Sequence, residues 1–199
     1  MQKSRILALL AILALLVAAC GGSTASPSAS ADAGKADYKA CIAFDVGGIG
    51  DKSFNDSAYE GLKNAEKEGF TVAYSEAKGA TDYAKNIQLL VDQDCKTIIV
   101  VGFSQGEAVV AAVKDPLNKE IAFAWVDSTW DETANGPIPA NFTGLDFQID
   151  EASMLAGYAA AAISTSKVLG VYGGQPFAGV TRFMDGWVAG ANYYASKTG

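Results

Sequence analysis

Histidine is absent from the 199 residues. That removes the usual general base of hydrolytic triads and the commonest zinc ligand, and argues against whole classes of enzyme. Cysteine is scarce: Cys20, Cys41 and Cys95 match no metal-site spacing, so neither metal nor cofactor is expected. Cations are the minority, 15 Lys+Arg against 22 Asp+Glu for a formal charge of −7, so bulk electrostatics draws the chain neither to nucleic acid nor to anionic lipid. Residues 21–37 contain no large apolar side chain and cannot offset the entropy of ordering.

One apolar run stands at the start, residues 6–19 behind Lys3 and Arg5, too short to span a bilayer comfortably but suited to the core of an export signal. It ends in Leu16-Val17-Ala18-Ala19-Cys20, which resembles the lipobox of bacterial lipoproteins. That resemblance implies a leader over 1–19, diacylation of Cys20, and a flexible tether over 20–37 holding a folded body at the extracytoplasmic face of a bacterial cell membrane.

From residue 38 onward short apolar runs alternate with helical stretches. Strands are predicted at 41–45, 70–75, 97–101, 121–126 and 142–147, and helices at 53–68, 81–92 and 104–114. Ser53 with Asp56, and Ser104 with Glu107, have the spacing of capping pairs. The run 97–101, Thr-Ile-Ile-Val-Val, is apolar throughout, as in strands buried on both faces. Such alternation implies an α/β fold with a doubly wound parallel sheet, whose ligands sit at the carboxyl ends of the strands. A first lobe over 38–147 fills a normal domain, whereas 148–199, with helices near 150–163 and 181–195 and a strand at 168–172, makes only an incomplete second lobe. The reading is of a truncated chain, because one strand cannot form a sheet.

Gly102-Phe103-Ser104-Gln105-Gly106 matches the G-x-S-x-G elbow of serine esterases and lies between a predicted strand and helix. With no histidine to activate Ser104, the esterase is the disfavoured alternative. The loop 46–53 carries neither phosphate-binding pattern and places Asp51 where a phosphate would sit. What gathers at the strand ends is acidic and aromatic: Asp45 and Asp127, with Phe54 and Asn55 at a helix start. Carboxylates that only accept, an amide that donates and accepts, and an aromatic face suit a neutral solute rich in hydroxyl and amino groups, such as a nucleoside or a sugar. Cys41 and Cys95 begin the first and third strands. In a 2-1-3-4-5 sheet those strands are neighbours, so an exported protein could bridge them; two separate buried thiols are the alternative.

The stretch 44–55, Phe-Asp-Val-Gly-Gly-Ile-Gly-Asp-Lys-Ser-Phe-Asn, followed by Ala58-Tyr59-Glu60-Gly61-Leu62, resembles the opening motif of the basic membrane protein family. These are lipoprotein substrate-binding components of ABC transporters, and the family includes purine nucleoside receptors. The likeness continues through 99–103, 123–127, 154–158, Gly173-Gly174 and 182–190. It implies a type I periplasmic-binding-protein fold, no catalysis, a monomer, and two partners: a small-molecule ligand, with a purine nucleoside favoured, and an ABC permease. By the same resemblance Asp45, Phe54, Asn55 and Asp127 are the ligand contacts of the first lobe. Phe54 stacks on the base, and the polar three bond base or ribose. Pyrimidine nucleosides, other sugar-like solutes and autoinducers remain alternative ligands.

Overall fold

The computed structural model describes residues 34–174 and 176–198. The leader 1–19, the lipidation site Cys20 and the tether as far as residue 33 lie outside the described residues. The folded body includes residues before 38. Lys35 pairs with Glu68 at 3.5 Å and lies over the Phe70 ring, while Thr71 Oγ1 donates to Ala36 O at 2.6 Å, so 35–37 belong to the folded body. Composition did not reveal this, because a backbone carbonyl and a lysine stem are enough to dock a segment without large apolar residues.

Five strands, β1 (Lys39–Phe44), β2 (Thr71–Glu76), β3 (Thr97–Val101), β4 (Ala122–Val126) and β5 (Phe142–Leu145), form one all-parallel sheet in the order β2-β1-β3-β4-β5. The connections carry α1 (Phe54–Lys67), α2 (Tyr83–Asp92), α3 (Gly106–Lys114) and the short α4 (Glu132–Asn135). Successive side chains of a strand point to opposite faces, and both faces are covered. Cys41, Ile98, Val100 and Phe123 pack with Ile87, Leu90, Val109 and Val113 of α2 and α3; Ile42, Phe44 and Val101 pack with Leu62 of α1. This is the doubly wound arrangement, with β2 and β5 at its edges. Cys41 and Cys95 are joined by a disulfide with Cα atoms 6.0 Å apart, which ties β1 to the start of β3.

Beyond β5 come α5 (Ile149–Ile163) and α6 (Ala178–Thr198). They run parallel, with Gly186 against Asp150, Gly190 against Met154 and Gly157 against Trp187; an added Cβ at Gly190 would stand 2.7 Å from the Met154 carbonyl carbon. Small residues at this spacing let the two backbones touch. No helix among the described residues is long and apolar enough to cross a membrane.

Three local expectations are corrected. The segment 168–172 is not a strand: it has no ladder partner among the described residues, and Val168 and Tyr172 are 79% and 94% exposed. A β-branched pattern forms a strand only where a neighbour takes its hydrogen bonds. Ser53 does not cap α1, because Asp51 accepts from the N–H groups of Ser53, Asn55 and Asp56 at 2.8, 3.1 and 3.1 Å. A carboxylate takes several donors at once and also suits the positive helix terminus. Ser104 does not cap a helix either; it sits in a 3₁₀ turn, Phe103–Gln105, with its hydroxyl 3.1 Å from that of Tyr83.

Candidate functional site: the carboxyl ends of the strands

Parallel strands that stop together leave their next residues around one rim, here Asp45 after β1, Gly102 after β3, Asp127 after β4 and Asp146 after β5. Two side chains lock this rim from beneath. Trp125 Nε1 donates to Gly102 O at 2.9 Å, and the buried Gln105 amide donates to Ala43 O at 3.0 Å and Val101 O at 2.8 Å. Gly102 has φ +98°, a conformation that L side chains rarely adopt, and a Cβ there would run into the Asp45 carboxylate.

The loop 45–56 is organised by its acids. Asp45 Oδ1 accepts from Gly47 N at 2.9 Å and from Asn55 Nδ2 at 2.8 Å. Asp56 accepts from Gly50 N and Lys52 N, and Glu76 from Ile49 N. Its N–H groups therefore turn inward to carboxylates, the reverse of a phosphate cradle. Burial pushes the Asp51 carboxyl up, but the backbone N–H groups of Ser53, Asp56 and Asn55 and the Asn55 amide outweigh it and hold the group below its ordinary value. Asn55 is 3% exposed and its Oδ1 has no partner among the described residues. Phe54 stands at the surface, with its ring 5.6 Å from that of Phe147.

A cavity of about 740 Å³ opens beside this loop, within the size range of small-molecule sites. Its wall includes Phe103, Trp125, Asp127, Asp146, Phe177 and Arg182. Of the four residues expected from the sequence, Asp127 lines it; Asp45, Phe54 and Asn55 form the adjoining loop and do not. Asp127 has φ +63°, and no hydrogen bond reaches its carboxylate among the described residues. A non-glycine residue held at positive φ is uncommon and occurs disproportionately at functional sites. Burial pushes the Asp127 carboxyl up, and the neighbouring charge of Asp146 pushes it further. Phe103 meets Phe177 with ring centroids 4.9 Å apart. Arg182 on α6 bonds the Asp146 carboxylate, Phe147 O at 2.9 Å and Asp150 Oδ1 at 3.2 Å.

Sequence reasoning missed Asp146, Phe147, Phe177 and Arg182 as site residues. A signal existed for Asp146, which follows β5 as Asp127 follows β4. None existed for Arg182, 36 residues away on a helix.

The model of the family of PnrA-like ABC transporter substrate-binding proteins matches residues 39–198. The ABC transporter nucleoside-binding protein BmpA of Lactococcus lactis is 36% identical over 197 residues, covering 96% of this chain and 54% of that protein. The chain thus spans about half the length of the curated relatives it matches. Among solved structures, an ABC transporter solute-binding protein from Aeropyrum pernix aligns at TM-score 0.65 and 26% identity over 80% of this chain and 44% of that one. A periplasmic binding protein/LacI regulator from Alkaliphilus metalliredigens aligns at TM-score 0.54 and 15% identity over 78% of this chain and 53% of that one, a likeness of fold alone. The fold is that of type I periplasmic binding proteins, and the chain belongs to the PnrA-like family of ABC transporter substrate-binding proteins, the basic membrane proteins.

Proposed function

We propose that the chain captures nucleosides, with purines favoured, at the extracytoplasmic face of a bacterial membrane and delivers them to an ABC permease. The observation that carries this reading is the cavity beneath Asp127. It offers an unpaired carboxylate beside the aromatic faces of Phe103 and Phe177, and the one cation on its wall, Arg182, is already engaged by two carboxylates. Such a site accepts hydrogen bonds from amino and hydroxyl groups, stacks a planar base and repels phosphate. The nucleoside-binding relative from Lactococcus lactis supports the same ligand class.

Within this reading Phe54 stacks on the base, and Asp127, Asp45 and Asn55 bond base or ribose. Binding is reversible and the solute leaves unchanged, which distinguishes a receptor from the Ser104 esterase. Anchoring through Cys20 and a monomeric state complete the proposal.

Calorimetric titration of the full chain with adenosine, uridine and adenosine monophosphate tests it. Adenosine is expected to bind most tightly and be recovered intact, with the monophosphate much weaker. Absence of binding by both nucleosides, or recovery of a cleaved product, overturns it. Labelling with radioactive palmitate, lost on Cys20→Ala, tests the anchor.

A further inference from the structure

Arg182 is the only cation on the cavity wall among the described residues, and the wall's other charged groups, Glu107, Asp127, Asp131 and Asp146, are all acids. Its guanidinium engages Asp146, Asp150 and the Phe147 carbonyl, which fastens α6 to the stretch joining β5 to α5.

The sheet register explains why this matters for Asp127. Val126 lies opposite Leu145, and Asp127 N donates to Leu145 O at 2.9 Å, so Asp127 and Asp146 are the next positions outward on adjacent parallel strands. Two carboxylates side by side resist being charged together unless a cation offsets one of them. Arg182 offsets Asp146 and makes no hydrogen bond to Asp127. By holding the Phe147 carbonyl it also fixes the residue whose ring packs against Phe54.

We propose that Arg182 is a positioning residue for ligand capture: by pairing with Asp146 and pinning Phe147 it leaves Asp127 as a charged acceptor and Phe54 with a fixed neighbour, without bonding the solute itself. The ligand half of this inference rests on the nucleoside reading above; the electrostatic half does not. The acids on the same cavity wall as Asp127 are Asp131, four residues on in its own loop and capping α4, Glu107 on α3, and Asp146 after β5. Of these Asp146 is the one whose charge bears on Asp127, so loss of the cation that offsets it is expected to register there.

The test uses the full chain labelled with ¹³C at aspartate carboxyls, the Asp127 signal being assigned by its loss in Asp127→Asn. In Arg182→Gln the midpoint of Asp127 is expected to rise, because the neighbouring charge of Asp146 is then no longer offset. Arg182→Lys keeps the charge and leaves the midpoint near that of the parent, and the double variant Asp146→Asn/Arg182→Gln returns it to the parent value or below. Adenosine affinity follows: in Arg182→Gln its fall at low pH begins at a higher pH than in the parent, as expected where binding needs Asp127 charged. An Asp127 midpoint unmoved in a folded Arg182→Gln overturns the proposal. Should that variant not fold, Asp146→Asn alone decides, since it must lower the midpoint, and an unmoved value again overturns it. If the parent binds no nucleoside, the function falls while the titration still decides the role of Arg182.

Discussion

The side-chain amide of Asn55 donates to Asp45 Oδ1 at 2.8 Å, which fastens the first turn of α1 to the tip of β1. Its second hydrogen goes to Asp51 Oδ2 at 2.9 Å. One buried amide therefore holds two carboxylates, and these in turn hold the backbone of the loop between them.

Asn55→Ala removes both bonds at once. Hydrogen bonds to charged acceptors contribute about 1.5–3 kcal/mol each, so a loss of about 2–4 kcal/mol is expected after partial resolvation of the acids. Asn55→Asp is expected to cost more, because it buries a third carboxylate beside the other two. Urea unfolding measures both, and an unchanged midpoint for either contradicts this account of the loop.

Gly102 and Gly50 separate backbone strain from collision. Both have positive φ, +98° and +104°, but nothing lies near a Cβ at Gly50, whereas at Gly102 it would stand 3.0 Å from the Asp45 Cγ and closer still to an oxygen. Each alanine substitution carries the conformational cost, about 1–3 kcal/mol for a residue held in a sparsely populated region. Gly102→Ala is expected to destabilise more than Gly50→Ala and to lower ligand affinity, because Asp45 must move. Equal effects of the two on stability and binding would remove the contact from the argument.

The sheet was legible because its evidence is local and repeated: apolar runs of strand length, β1 to β5, separated by helical spacing and turn residues. Their order was supposed as one common doubly wound pattern, 2-1-3-4-5, and the structure has that order. The strand expected at 168–172 failed because its pattern says what a segment could do, while pairing depends on a neighbour. Ser53 and Ser104 failed for a related reason: the capping spacing is a two-residue signal, and Asp51 and Tyr83 compete for the same groups from outside it. Asp45 and Asp127 stood out by their places at strand ends, and Asn55 by its place at a helix start; the structure puts Asp127 on the cavity wall and engages Asp45 and Asn55 with each other. Arg182 joins Asp146 only through tertiary packing, which no local pattern encodes.

The Cys41–Cys95 bridge closes a loop across 54 residues of sequence, and both residues are buried, at 0% and 1% exposure. Constraint of the unfolded chain by a loop of that length contributes about 4 kcal/mol in the entropic model. The double variant Cys41→Ala/Cys95→Ala is expected to lose most of that in denaturant unfolding while retaining the ligand cavity, which lies at the opposite ends of the strands. In the parent chain neither residue should be alkylated by iodoacetamide in urea without reductant, and both should be with it. Labelling of both without reductant contradicts the bridge.

Asp51 and Asp127 are expected to shift the pH dependence of stability in opposite directions. The Asp51 carboxyl is held below its ordinary value of 3.8, so the folded chain binds fewer protons there than the unfolded one. Its stabilisation is complete above 3.8 and is lost as pH falls through the lower folded value. Asp127 is raised above 3.8 by burial and then by Asp146, so the folded chain binds more protons there across the interval between the two values. Stability on that account declines as pH rises through the interval, and the penalty is complete at neutral pH. Asp51→Asn is therefore expected to lower stability at pH 7 and to flatten its decline below pH 3.8. Asp127→Asn is expected to raise stability at pH 7, helped by the tolerance of asparagine for positive φ, and to weaken adenosine binding. Melting temperatures of the three proteins between pH 3 and 8 decide the matter. A destabilised Asp127→Asn at neutral pH would mean that its carboxylate serves the fold rather than the ligand.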